Sequence, residues 1–340
     1  MTFEELTERL DSLRVRPLTL EIPFRQAGQH VHFYLIEDSR PALIDTGLHS
    51  EASERWLRRA LAQYGYTPED IQRVFLTHGH IDHYGNARLF QKLGAEVYLH
   101  QADFNKVEPL GVDTRAELHQ AYAREFASHG LPGELTRFLD TVLFGDVKFA
   151  CPLVPRRVED GDTFQFDRFT LRAVGVPGHT PGCLAYFLGE SGVAVSGDHL
   201  LMQISPNPLF ELNGDGDKFP SLIRYFSSLE RVLEEGIELA LPAHGPFVTD
   251  PRGLAASLSA LYERRQGKLF RMLSSPLTAF ELVQTYYHRL KGFEAFLAFS
   301  EVLGNLEMMA ARGEVLAERD GETCRFRRLT DEPVMFPSVG

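Results

Sequence analysis

The stretch Thr77-His78-Gly79-His80-Ile81-Asp82-His83 constrains this chain more than any other. It sets four metal-ligating side chains within six residues, straight after the apolar run Val74-Phe75-Leu76. A regular helix would spread these side chains around its circumference. A strand that ends in a tight loop can turn several of them toward one point, with Gly79 as the pliable position. Thirteen histidines among 340 residues make the cluster an improbable accident, so the stretch predicts a metal site rather than a polar loop.

Three later segments carry a His or Asp just past an apolar strand: Val176-Pro177-Gly178-His179-Thr180-Pro181-Gly182, Val195-Ser196-Gly197-Asp198 and Leu241-Pro242-Ala243-His244-Gly245. Alone, each reads as a turn, because such residues beside Gly or Pro are common turn formers. Taken with the first stretch, they bring the set to five histidines and two aspartates, all at strand ends. That is enough for two metal ions. Imidazole and carboxylate suit zinc or a neighbouring first-row ion, with iron and manganese as the alternatives.

Periodicity places these motifs in an α+β chain. Helical spacing covers 3–13, 50–64, 86–93 and 218–234, and strand patterns cover 18–24, 31–37 (around a turn at Gly28), 42–44, 74–76, 95–100, 158–166, 169–174, 183–188, 193–196 and 238–241. Two amphipathic helices, 114–128 and 132–144, interrupt this order as an insertion over 101–150. Beyond 250 three helices (254–273, 279–287, 293–312) precede two short strands around Asp320-Gly321, a hairpin signal. The expected division is a main domain over 1–250, a winged-helix plan over 251–330 and a loose tail over 331–340.

The motif set, in this order, resembles the metallo-β-lactamase superfamily of hydrolases over about residues 18–247. The resemblance implies an αββα sandwich with the metals at one edge. It further implies that His78, His80 and His179 hold one ion, that Asp82, His83 and His244 hold a second, and that Asp198 bridges both. Asp45, in Asp45-Thr46-Gly47, matches the family's first motif and would orient the ligand loop. Asp82 and Asp198 are the expected catalytic carboxylates. The expected activity is hydrolysis by a water molecule that two cations activate, on an ester, thioester or lactone of a small acyl substrate. Two departures stand out. The family's Asp-His-x-Gly-Gly is Asp82-His83-Tyr84-Gly85-Asn86 here, and its His-Thr-x-Gly-His ends in Cys183.

The substrate is expected to be read by the 101–150 insertion, as a lid or acyl-binding wall, and by 199–210, which mixes prolines with apolar residues. Tyr84, Met202, Ile204 and Phe210 are the candidates to touch it. A formal charge of −12 and the absence of Lys/Arg clusters weigh against nucleic acid as a partner. The combination with a winged helix nevertheless resembles a branch that includes an endoribonuclease, so a single-stranded RNA endonuclease is one alternative. An iron-dependent persulfide dioxygenase is the other. Glu294, Glu301 and Glu307 on the third C-terminal helix favour packing or homodimerisation over DNA reading. Three scattered cysteines, no membrane-length apolar run and no signal-peptide pattern predict a cytoplasmic protein.

Overall fold

The computed structural model describes residues 2–23, 29–108, 112–144, 151–202, 208–213 and 216–333. The expected turn at Gly28, the candidate Ile204 and the tail from 334 onward lie outside them. The helices are α1 (Phe3–Leu13), α2 (Glu51–Ala62), α3 (Ile81–Tyr84), α4 (Ala87–Lys92), α5 (Phe104–Val107), α6 (Val112–Ser128), α7 (Gly133–Phe144), α8 (Ser221–Glu234), α9 (Pro251–Met272), α10 (Ala279–Tyr287) and α11 (Gly292–Ala311). Two compact units divide the chain. One comprises Met1–Pro109, Val147–Pro206 and Ser228–Leu254, the other Leu110–Asp146, Asn207–Ser227 and Ala255–Gly340. Most of the 101–150 insertion thus groups with the C-terminal elements.

The first unit holds two sheets. Six strands form the first in spatial order: β1 (Val15–Glu21), β2 (His30–Ile36), β3 (Ala42–Ile44), β4 (Arg73–Phe75), β5 (Glu96–His100) and β6 (Arg156–Val158). β1 to β3 pair antiparallel, and β3 to β6 pair parallel. The second sheet contains β7 (Thr163–Gln165), β8 (Thr170–Gly175), β9 (Leu184–Leu188), β10 (Val193–Gly197) and β11 (Leu239–Pro242), with β10 and β11 its parallel pair. The single strand expected over 158–166 is split between the two sheets. Glu159-Asp160-Gly161-Asp162 breaks it, with Gly161 at φ +87°, a turn that acids and glycine favour.

The two-residue strand period sorts side chains between two cores. Along β2, Val31, Phe33 and Leu35 join Leu57, Leu61 and Phe90 of α2 and α4. Tyr34 and Ile36 point the other way, into the layer between the sheets, where Ile44 and Phe75 meet Leu184, Tyr186 and Leu241. The Phe75 ring packs 4.7 Å from Phe164 and 5.6 Å from Tyr186. Burying a ring this fully stabilises the fold by about 1.5–3 kcal/mol. Past the other sheet, the Ser228 hydroxyl of α8 donates to the Pro177 carbonyl at 2.7 Å, and Glu235 pairs with Arg172 of β8 at 2.8 Å. These layers make the αββα order, and the loops after β3, β4, β8, β10 and β11 carry the ligand-type residues.

In the second unit, Tyr122 and Phe126 of α6 and Leu139 of α7 pack with Phe210, Phe280, Phe296, Phe299 and Phe326. The last of these lies on the hairpin of β12 (Val315–Asp320) and β13 (Thr323–Arg328), which turns at Gly321, φ +61°. Leu277, ahead of α10, bridges Phe326 through backbone hydrogen bonds of 3.1 and 2.8 Å. α10 starts with a capping box: Thr278 Oγ1 accepts from the Glu281 N–H at 3.1 Å, and the Glu281 carboxylate accepts from the Thr278 N–H at 2.7 Å. Thr278→Ala is expected to destabilise this unit by about 1 kcal/mol, read as a lower urea midpoint, and an unchanged midpoint would contradict that role.

Candidate metal centre

All seven ligand-type side chains come together in the first unit. His78, His80 and His179 form one cluster and Asp82, His83 and His244 another, with the donor atoms in each within 4.8 Å of one another. His80 Nδ1 stands 2.9 Å from His78 Nε2 and 3.0 Å from His179 Nε2. In the second cluster His244 Nε2 is 3.4 Å from Asp82 Oδ2, and His83 Nε2 is 3.9 Å from Asp82 Oδ1. Separations of this size suit donors around one small cation, with bonds of about 2 Å to each.

Asp198 stands between the clusters. Its Oδ2 is 3.3 Å from His179 Nε2, while its Oδ1 is 3.5 Å from both His83 Nε2 and His244 Nε2. Each carboxylate oxygen therefore addresses a different cluster. His83 Nε2 and Asp198 Oδ1 are buried and make no hydrogen bond. A buried polar atom without a partner is costly, and a cation would supply the missing partner to both. The donor set fits a metal.

Outer partners decide which nitrogens face inward. Asp45 accepts from the Thr77 N–H, the Thr77 hydroxyl and His83 Nδ1, each at 2.8 Å. With its proton so committed, Thr77 Oγ1 accepts from His78 Nδ1 at 3.1 Å. His244 Nδ1 donates to the His30 carbonyl at 2.7 Å. Each of these bonds holds the proton on Nδ1 and turns the Nε2 lone pair toward the clusters; His80 presents Nδ1 instead. Asp45 itself sits at φ +62° and is 1% exposed. That region costs a non-glycine residue about 1 kcal/mol or more, though Asp tolerates it better than most. Two buried tyrosines brace the ligand strands, Tyr186 donating to the Leu76 carbonyl at 3.0 Å and Tyr34 to the Pro242 carbonyl at 2.6 Å.

Protons balance the charge of the metal-free site. Burial alone would raise Asp82, but His83 and His244 hold its carboxyl at about 2. Asp198 also stays well below the usual carboxylate range, against its burial, through His244 and His83. Burial would lower His244 and His83, yet the carboxylates win: His244 rises to about 9 and His83 well above its ordinary value. His78, buried among other imidazoles, is pushed well down. The stabilisation that protonated His244 gives the metal-free fold is fully present below its ordinary value of 6.5 and fades as pH climbs through about 9. Metal binding has the opposite sign, because a cation must displace those protons. Zinc added to metal-free protein at neutral pH should release protons, and its affinity should rise about tenfold per pH unit for each proton displaced. An affinity that stays flat from pH 6.5 to 9 would contradict this charge balance.

The structure also differs from the expectations in detail. The first motif is not loop throughout: Asp82 and His83 lie on α3, a single turn whose His83 and Tyr84 N–H groups bond back to the His80 carbonyl. Gly79 is required for close approach rather than for a special turn, since a Cβ there would lie 2.9 Å from Lys106 Cδ and 3.2 Å from Asp103 Cβ. Tyr84 is buried in the core beside α2 and α4, and its hydroxyl donates to the Lys106 carbonyl at 3.3 Å. This residue packs rather than presenting itself to a ligand. Phe210 belongs to the aromatic core of the second unit. Met202 is 54% exposed, and Leu200 and Leu201 before it are buried. Cys183 is a buried thiol whose pKa burial pushes well up.

Two supporting residues have little or no signature in the sequence. Asn86 stands at the family's second glycine, and its amide donates to the Thr46 carbonyl, the Leu48 carbonyl and Ser53 Oγ, each at 2.9 Å. The side chain thus ties down the turn after Asp45. Asp103 is wholly buried and joins the loops of His78–His80 and His179. An Asn in place of a motif glycine was the one available signal for the first. Asp103 had none.

A family model described as the metallo-beta-lactamase superfamily matches residues 28–261. The chain is 27% identical over 321 residues to a Bacillus subtilis protein named probable metallo-hydrolase YqjP, covering 92% of this chain and 98% of that one. Its structure is similar to that of a metallo-beta-lactamase family protein from Thermus thermophilus, with a TM-score of 0.76, 30% identity, and coverage of 93% of this chain and 98% of the other. It is also 26% identical over 180 residues to hydroxyacylglutathione hydrolase GloC of Haemophilus influenzae, covering 53% of this chain and 70% of GloC.

Proposed function

Because this chain belongs to the metallo-β-lactamase superfamily, we propose that this metal-dependent hydrolase holds two divalent ions, zinc foremost, and cleaves an ester, thioester or lactone of a small acyl substrate. One observation carries the two-ion reading: the Asp198 carboxylate turns one oxygen to each cluster, 3.3 Å from His179 and 3.5 Å from His83 and His244. His78, His80 and His179 would hold one ion and Asp82, His83 and His244 the other. When bound, such cations polarise a scissile carbonyl and acidify water. Asp82, whose carboxylate lies 3.4 Å from His244 Nε2 and 3.9 Å from His83 Nε2, would orient the attacking water by accepting a hydrogen bond from it. His78 and His83 are fully buried, which keeps bulk water from competing for their donor atoms.

The similarity to a hydroxyacylglutathione hydrolase favours a thioester within this substrate class. Exposed Met202, four residues past Asp198, favours an apolar acyl group. The test is a panel of acyl thioesters, aryl esters and lactones, with single-stranded RNA and a persulfide as further arms, offered to zinc-loaded protein. Turnover of a thioester, ester or lactone that disappears in His80→Ala supports the reading. RNA cleavage or oxygen uptake without it would replace it.

For the three C-terminal helices and the hairpin, the proposed role is a winged helix used for packing or self-association. In support, α11 is buried along most of its length, whereas a groove-reading helix must expose a face. Two of its acids are already engaged, Glu301 with Arg265 at 3.2 Å and Glu307 with Lys218. The cytoplasm remains the proposed location. All three cysteines are free, and among the described residues no helix is long and apolar enough to cross a membrane.

A further inference from the structure

We propose that Asp103 is a positioning residue that controls one of the two metal positions selectively, an inference that rests on the two-ion reading above. Its carboxylate accepts hydrogen bonds from Gly79, Thr180 and Gly182, none of which is among the seven donors. It thereby joins the two loops that carry the three-histidine cluster. Oδ2 accepts from the Gly79 N–H at 2.9 Å and from the Thr180 hydroxyl at 2.7 Å, and Oδ1 accepts from the Gly182 N–H at 3.0 Å. Gly79 lies between His78 and His80, and Thr180 directly follows His179. One buried carboxylate therefore sets the spacing between the loop of His78 and His80 and the loop of His179.

The fit is tight on both sides. A Cβ on Gly182 would come 2.7 Å from Asp103 Cγ, and one on Gly79 would come 3.2 Å from Asp103 Cβ. Both loops have glycine where the Asp103 side chain packs against them, and a β-carbon at Gly182 would crowd its carboxylate. Charge-assisted hydrogen bonds from two backbone amides and a hydroxyl are individually strong, and with Asp103 wholly buried water cannot take its place.

The second cluster is supported differently. His83 is held by Asp45, and His244 by the His30 carbonyl. Asp45 reaches His78 as well, through Thr77, so its influence extends to both clusters. The hydrogen bonds that Asp103 accepts come instead from Gly79, Thr180 and Gly182, in the loops that carry His78, His80 and His179. Loosening Asp103 should weaken the ion held by those three residues and spare the ion held by Asp82, His83 and His244.

The test uses the full chain, stripped of metal and titrated with zinc against a chromophoric chelator, with cobalt(II) absorption spectra to identify the occupied position. Asp103→Asn keeps the shape, but its NH2 must face at least one of the three donors. In this variant one zinc should bind as in the parent and the other about 10- to 100-fold more weakly, the usual effect of losing a residue that orients ligands. Thr180→Val, which removes one of the three hydrogen bonds to Asp103 together with the hydroxyl's contact to Cys183 Sγ, should weaken the same ion by less, and it carries the test if the Asp103 variant does not fold. Cobalt remaining in either variant should give the spectrum of His179→Ala and not that of His244→Ala. Parent-like affinity for both ions, or equal weakening of both, would overturn the assignment. A parent protein that binds no metal would instead remove the two-ion reading beneath it.

Discussion

Asp198→Ala is expected to lower hydrolysis at least about 1,000-fold, a loss of roughly 4 kcal/mol of transition-state stabilisation, and to reduce the metal retained by the purified protein. The size of the effect follows from position. Asp198 faces both clusters, Oδ2 toward His179 and Oδ1 toward His83 and His244. Alanine would leave three imidazoles around an electrically unbalanced gap, and His83 and His244 would lose the carboxylate that contributes most to raising them. Asp198→Asn separates charge from shape. It keeps one oxygen donor and should retain more metal than alanine while still losing most of the rate. Steady-state turnover with metal analysis on the same preparations decides the point. Full turnover by a metal-depleted Asp198→Ala protein would remove this residue from the mechanism.

The second large effect concerns Asp45. Asp45→Ala strands the Thr77 N–H, the Thr77 hydroxyl and His83 Nδ1, all buried and all now bonded to its carboxylate at 2.8 Å. A buried donor without an acceptor costs about 1–3 kcal/mol. Alanine at φ +62° adds about 1 kcal/mol, because a β-carbon crowds the backbone in the left-handed region. A destabilisation of about 3–5 kcal/mol is expected for metal-free protein in urea, together with a 10- to 100-fold fall in zinc affinity. Asp45→Asn should be milder on both counts, since asparagine tolerates this backbone region and keeps one acceptor. If the alanine variant unfolds within about 1 kcal/mol of the parent, the network around Thr77 is not what holds the ligand loop.

Much of this could be read from the sequence because it rests on local rules. Alternation through Val31, Phe33 and Leu35 marks β2 wherever it packs, and Asp320-Gly321 forms its hairpin from local turn chemistry. The seven ligand-type residues were legible for a related reason. Each lies just past an apolar strand, β4 of the first sheet or β8, β10 and β11 of the second, and the packing of the two sheets against each other brings those strand ends together. What escaped depends on tertiary closeness. Asp103 is an isolated acid between strand and helix, and its partner Thr180 lies 77 positions away. Tyr84 sits inside the motif, but only the packing of α4 and α5 shows that its ring is core. Likewise the apolar faces of α6 and α7 announce burial without naming a partner, and they join Phe280, Phe296 and Phe299 of the C-terminal segment.

The central claim is that one carboxylate links two metal positions in a hydrolase. Zinc titration of the metal-stripped chain, followed as bound ions per chain and as hydrolysis of an acyl thioester in the same samples, tests it most directly. About two zinc ions per chain are expected, with hydrolysis appearing as they bind and vanishing on chelation. Hydrolysis at full rate before any zinc is bound, or a chain that takes up no zinc at all, would contradict it.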